Sequence, residues 1–181
     1  MQAQDIEAHL ADLGLELQNL GVECPVRILM IGGAFMLTQL RNRSTTDDVD
    51  VLLKDVDDPT VSPLYQTFET AVQAVASRNQ ISISWINDRI RDFIRNIGEV
   101  PEGALWRTYD MLEVYIPPRD YVLALKLLAN RKKDQKDILA LCQQLNVQAR
   151  EQAQQIVDRY VPDREVQQLS NLNKTLSILF P

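Results

Sequence analysis

Val26-Arg27-Ile28-Leu29-Met30-Ile31-Gly32-Gly33-Ala34-Phe35-Met36-Leu37, then Arg43-Ser44-Thr45-Thr46-Asp47-Asp48-Val49-Asp50-Val51-Leu52-Leu53, is the stretch that decides the fold. Val26 to Ile31 is a short, mostly apolar run closed by Gly32-Gly33, which reads as a buried strand entering a tight turn. Ala34 to Arg41 reads as a short helix, 42–46 as a loop, and Val49 to Leu53 as a second strand. If 48–53 is extended, Asp48 and Asp50 project to one side, while Val49, Val51 and Leu53 face the core. Two carboxylates roughly 6 Å apart repel by about 3 kcal/mol at an effective dielectric of about 20. An ordinary fold has no use for that repulsion. A divalent cation such as Mg²⁺ or Mn²⁺ turns it into attraction and takes hard oxygen ligands.

The glycine pair fits the same chemistry. Lacking side chains, Gly32 and Gly33 let backbone N–H groups approach phosphate oxygens where the next helix begins. Taken singly, each feature has a plain reading: Gly-Gly as a tight turn, and the aspartates between residues 47 and 58 as a solvated acidic loop. Joined in the order strand, Gly-Gly, helix, Arg/Thr loop, Asp-Val-Asp strand, they favour a metal and phosphate site.

Outward from this stretch, Ile6, Leu10, Leu13, Leu17 and Leu20 form a helical stripe that Gly21 stops. Leu64, Phe68, Ala71, Val72 and Val75 return to helical spacing. Ile81-Ser82-Ile83-Ser84-Trp85 alternates and predicts a third strand, and Met111 to Ile116 a fourth, stopped by Pro117-Pro118. Asn87 to Arg95 reads as helical or irregular, with Arg89, Arg91 and Arg95 on a solvated face. From Asp120 on, the chain predicts helices over Tyr121–Arg131, Asp134–Leu145, Ala149–Tyr160 and one after Pro162. Strands in the first two thirds and helices in the last predict an α+β fold. The expected division is a core over 1–117 and a helical region over 118–181 packed on it.

The chain has 181 residues, 45% hydrophobic and 24% charged, with a formal charge of −6. That balance argues against nucleic-acid binding by a broad basic face, but leaves room for a nucleotide held through metal ions. Cys24 and Cys142 cannot build a disulfide framework and read as buried thiols of a reducing cytosol. No run approaches the ~20 apolar residues that span a bilayer. Residues 1–7 lack the features of a signal peptide, so the expectation is a cytoplasmic protein with no membrane partner.

Together these motifs resemble the nucleotidyltransferase superfamily of the DNA polymerase beta type. Its members carry Gly-Gly or Gly-Ser after an apolar residue and Asp-apolar-Asp on the following strand. The stretch Asp120-Tyr121-Val122-Leu123-Ala124-Leu125-Lys126-Leu127-Leu128-Ala129-Asn130-Arg131, running on to Asp134 and Asp137, resembles a helix pair of bacterial abortive-infection toxins and related uncharacterised proteins. Trp85-Ile86-Asn87-Asp88 is similar to a Trp-Leu-Asn-Asp segment of some members. The resembling pieces span about residues 26 to 145.

The resemblance implies a mixed β-sheet flanked by helices, and an enzyme that transfers a nucleoside monophosphate from a nucleoside triphosphate to an acceptor hydroxyl of RNA, protein or a small molecule. It implies that Asp48 and Asp50 bind Mg²⁺ or Mn²⁺ and that Gly32 and Gly33 bind the triphosphate. Arg43 and Thr46 join them, Thr46 (or Ser44 or Thr45) replacing the hydroxyl that Gly-Ser members carry. Lys126 is expected to steady the triphosphate, with Asp134 as an N-cap and Asp137 in the first helical turn. A third carboxylate is common in the superfamily; alternation on the fourth strand makes Glu113 the candidate, with Asp110 and Asp88 in reserve. The rival expectation is a catalytically silent module of the same fold, in a toxin–antitoxin pair with a partner protein, or a homodimer.

Overall fold

A computed structural model describes residues 1–180. The chain forms two compact units. One comprises Met1–Ile90 with Gly103–Ile116, and the other comprises Arg91–Glu102 with the chain from Pro117 on. The segment 91–102 therefore groups with the C-terminal helices, although a boundary at 117 alone would leave it in the core.

The first unit is built on a five-stranded mixed sheet in the order β3-β2-β1-β5-β4. Its strands are β1 (Val26–Met30), β2 (Val49–Leu53), β3 (Ile86–Asn87), β4 (Ala104–Tyr109) and β5 (Leu112–Ile116). The β1–β2 and β4–β5 pairs are antiparallel, and β1–β5 and β2–β3 are parallel. Two long helices, α1 (Ala3–Asn19) and α3 (Pro63–Asn79), pack against each other, and α1 also contacts β4 and β5. Ile6, Leu10, Leu13 and Leu17 of α1 are fully buried in one cluster with Ile28, Met30, Val49, Val51, Leu53, Phe68, Val72 and Val114. Each such side chain contributes roughly 1.5–3 kcal/mol of burial, offset by the entropy of ordering it. Helix α3 starts where Ser62 Oγ accepts from the Tyr65 amide, with Pro63 as the first residue.

One expected strand is absent and one strand was not expected. Residues 81–85 form turns, and only Ile86–Asn87 pairs with β2. The alternation there is real, but Ile83 is 70% exposed and has no core to face. Ser82 Oγ instead bonds Ser84 Oγ and accepts from the Ser84 amide, while the Trp85 amide donates to the Ser82 carbonyl. Such local bonds compete with a ladder. Conversely, β4 had no reading as a strand because, as the outer strand beyond β5, it buries none of its residues.

The short helix after Gly-Gly begins at Gly32 as α2 (Gly32–Phe35) and widens to a π-helix over Met36–Leu40, closed by Arg41 at φ 55°. The second unit holds α4 (Arg91–Arg95), α5 (Arg119–Ala129), α6 (Gln135–Gln144), α7 (Arg150–Tyr160), α8 (Arg164–Leu169) and α9 (Leu172–Leu179). The single helix expected after Pro162 is thus two, broken at Ser170-Asn171. Within this unit α5 contacts α6, α7 and α9. Arg91 is buried rather than solvated, and Cys24 is exposed although Cys142 is buried. Among the described residues no helix is long and apolar enough to cross a membrane.

Candidate functional site

Strand alternation decides what the middle of the sheet presents. Val49, Val51 and Leu53 enter the buried cluster on one face. Asp48 and Asp50, both half-buried, therefore project from the other. The Ile31 amide donates to the Asp50 carbonyl at 2.9 Å, so β2 brings Asp50 level with the C-terminal end of β1, where the chain turns at Gly32.

That turn depends on glycine. Gly32 sits at φ +63°, and a Cβ placed on it would lie 2.2 Å from Asp50 Oδ2. A Cβ on Gly33 would lie 2.3 Å from Thr46 Oγ1 and 2.9 Å from an Arg43 guanidinium nitrogen. The two missing side chains thus leave room for one carboxylate, one hydroxyl and one cation against bare backbone. Thr46 is buried, and its hydroxyl donates to the Asp48 carbonyl at 3.1 Å. The Thr46 amide donates to the Met1 carbonyl at 3.0 Å, which ties the loop to the start of α1.

Asp48 and Asp50 are flanked by β3. Asn87 lies opposite Asp50 in the parallel register and donates from Nδ2 to Asp48 Oδ2 at 3.3 Å. The sequence marks Asn87 only as part of the Trp85-Ile86-Asn87-Asp88 segment, without a role; Trp85 and Ile86 are buried and anchor the strand edge. Beside Arg43 lies an open depression of about 430 Å³, walled by Gln4 and Glu7 of α1 and by Thr38 and Arg41.

The structure therefore gathers Gly32, Gly33, Arg43, Thr46, Asp48 and Asp50. It does not gather Glu113 with them. Glu113 pairs in register with Arg27, four residues back along β1 from Ile31 and on the far side of β1 from β2. Sheet spacings put its Cα roughly 16 Å from that of Asp50. Its carboxylate instead accepts from the Tyr115 hydroxyl at 2.9 Å. Asp110 lies in the β4–β5 turn, at the same distant end. Of the three candidate third carboxylates, only Asp88, directly after Asn87, is near in sequence to the strand that pairs with β2 at Asp50. Among the described residues, no group of three or more His, Cys, Asp or Glu side chains is placed to hold one ion.

Lys126 belongs to the second unit and is 7% exposed. Its ammonium bonds Asp134 Oδ1 at 2.6 Å and Asp137 Oδ2 at 2.8 Å, both carboxylates being buried. Asp134 makes no side-chain cap. In place of the expected cap, its carboxylate turns to Lys126, because a buried ammonium needs hydrogen-bonded counter-charge.

No protein-family model matches this chain, and no curated protein or solved structure shows significant similarity to it.

Proposed function

We propose that this chain is a Mg²⁺-dependent nucleotidyltransferase that moves a nucleoside monophosphate from a nucleoside triphosphate to an acceptor hydroxyl. The observation that carries this reading is the Asp50 carboxylate filling the space a Cβ on Gly32 would need. That contact sets an acidic side chain directly against the backbone turn that follows β1.

The residues present fit a hard divalent cation. Asp48 and Asp50 would hold Mg²⁺ or Mn²⁺, and a two-carboxylate site leaves the remaining positions to phosphate oxygens and water, as Mg²⁺ favours. When bound, the cation would neutralise charge on the transferred phosphoryl group and lower the pKa of the attacking hydroxyl. Gly32 and Gly33 let Asp50, Thr46 and Arg43 close on the turn beside which the triphosphate would bind. Arg43 supplies a planar cation beside Gly33, and the Thr46 hydroxyl would reach a phosphate only by giving up its bond to the Asp48 carbonyl. The acceptor oxygen bonds to the α-phosphorus, the α–β anhydride bond breaks, and pyrophosphate leaves. The hydroxyl proton passes to a carboxylate of this edge, with Asp88 the third candidate in place of Glu113. The depression beside Arg43 is large enough for a nucleoside or an acceptor group.

The test is incubation with each α-labelled nucleoside triphosphate, Mg²⁺ and cell extract. Label should move to an acceptor with the native chain, and not with Asp48→Ala or Asp50→Ala. Unchanged transfer in both variants would reject this site. Triphosphate binding without transfer to any acceptor would instead point to a silent module acting through a partner protein.

A further inference from the structure

We infer that Asn87 is a positioning residue, which fixes the Asp48 carboxylate in the orientation needed to bind a divalent cation. This inference rests on the proposed metal role of Asp48 and deepens it. Asn87 is 8% exposed, so its amide cannot rely on water for its bonds. The Arg89 amide donates to Asn87 Oδ1 at 3.2 Å. A backbone N–H can only donate, so this bond decides which end of the amide is oxygen and turns Nδ2 toward β2. Nδ2 then donates to Asp48 Oδ2 at 3.3 Å.

The geometry is fixed on three sides. The Val49 amide donates to the Trp85 carbonyl at 2.8 Å, and Ile86 and Asn87 pair in register with Val49 and Asp50. Trp85 is 1% exposed, and its indole donates to the Val72 carbonyl on α3 at 3.4 Å. A two-residue strand is thereby held rigidly enough to place one amide against one carboxylate. With Oδ2 engaged by Asn87, Oδ1 of Asp48 would be the oxygen left to hold the ion. Partners that orient a ligating carboxylate commonly change metal affinity by about 10–100-fold when removed.

The probe is Mn²⁺, followed by loss of its free-ion electron paramagnetic resonance signal on titration with the full chain. Asn87→Leu keeps the volume without a donor, and Asn87→Ala removes the side chain. Both should bind Mn²⁺ about 10–100-fold more weakly than the native chain, with an altered bound-ion spectrum, and Asp48→Ala should bind more weakly still. A melting curve on each variant identifies any that fails to fold, and the remaining one decides. Native affinity in a folded Asn87 variant, with Asp48→Ala impaired, would overturn this inference and leave the proposed function standing. No Mn²⁺ binding by the native chain would overturn both.

Discussion

The Asp50 carboxylate occupies the volume that any side chain on Gly32 would need, 2.2 Å from the position of its Cβ. The contact couples a backbone requirement to an acidic side chain. Gly32 has φ +63°, which costs an L-residue roughly 1–2 kcal/mol before any clash. Gly21 has a similar φ of +77°, but nothing lies within 4 Å of its Cβ position. Gly32→Ala and Gly21→Ala should therefore lose similar stability from strain, with a further loss only in Gly32→Ala. Urea unfolding midpoints for the two variants measure the difference, and equal midpoints would show that Asp50 yields freely.

Gly33 presents the complementary case, since no positive φ strains it and its neighbours are ends of side chains. Gly33→Ala should displace Thr46 Oγ1 and the Arg43 guanidinium rather than the backbone. If those groups hold phosphate, losing one charge-assisted hydrogen bond weakens triphosphate binding by about 10–100-fold. Calorimetric titration with inorganic tripolyphosphate and Mg²⁺ tests this without assuming a base. Undiminished affinity in a folded Gly33→Ala would separate Arg43 and Thr46 from the phosphates.

Much of this geometry was legible in the residues. The alternation at 48–53 decides the facing of Asp48 and Asp50, because a strand has a period of two whatever surrounds it. The place of Glu113 was not legible in the same way. Alternation correctly separates Glu113 from its buried neighbours, Leu112 and Val114, but it carries no register. The parallel pairing of Glu113 with Arg27 is set by tertiary contacts, and it moves the side chain away from Asp50. The strand expected at 81–85 fails for a related reason: the Ser82 hydroxyl takes the Ser84 amide locally, in competition with a ladder. β4 stayed hidden because the outer strand of a sheet needs no apolar face to announce it.

That register makes a direct prediction about the third acidic group. Glu113→Gln should leave nucleotide transfer at the native rate, since the sheet register holds Glu113 roughly 16 Å from Asp50, out of reach of a shared ion or proton. Asp88→Asn should reduce the transfer rate by about 10²–10⁴-fold if its carboxylate receives the proton. Initial rates with a saturating labelled triphosphate decide between them. A large loss in Glu113→Gln with Asp88→Asn unaffected would reverse the assignment.

The helical unit carries its own acid sensitivity at Asp158. Burial pushes this carboxyl up, but hydrogen bonds from Gln154, Gln167 and Arg164 outweigh that effect and hold its pKa below the ordinary 3.8. Arg164 reaches both oxygens, at 2.7 and 2.9 Å. A carboxyl depressed by folding stabilises the fold fully above its unfolded value, and the contribution disappears as pH falls through the folded value. The native chain should therefore be more stable than Asp158→Asn at pH 7. That gap should narrow below about pH 4. Unfolding midpoints across pH 2.5–7 give the difference directly, and a gap independent of pH would remove Asp158 from the acid response.

Lys126 separates a structural cation from a phosphate ligand. Its ammonium is shared between two carboxylates, and Asp137 is only 1% exposed. Removing the cation takes this counter-charge away from two buried carboxylates, which typically costs about 3–5 kcal/mol. Lys126→Met should thus lower stability by that order, as read from urea denaturation. Replacing Lys126, Asp134 and Asp137 together with Met, Leu and Leu removes the buried charges as a set and should recover most of the loss. The triple variant also frees the question from folding. If it is stable and binds Mg²⁺–tripolyphosphate as the native chain does, Lys126 acts through the helix pair alone. A stable triple variant with weakened binding would return Lys126 to the phosphates.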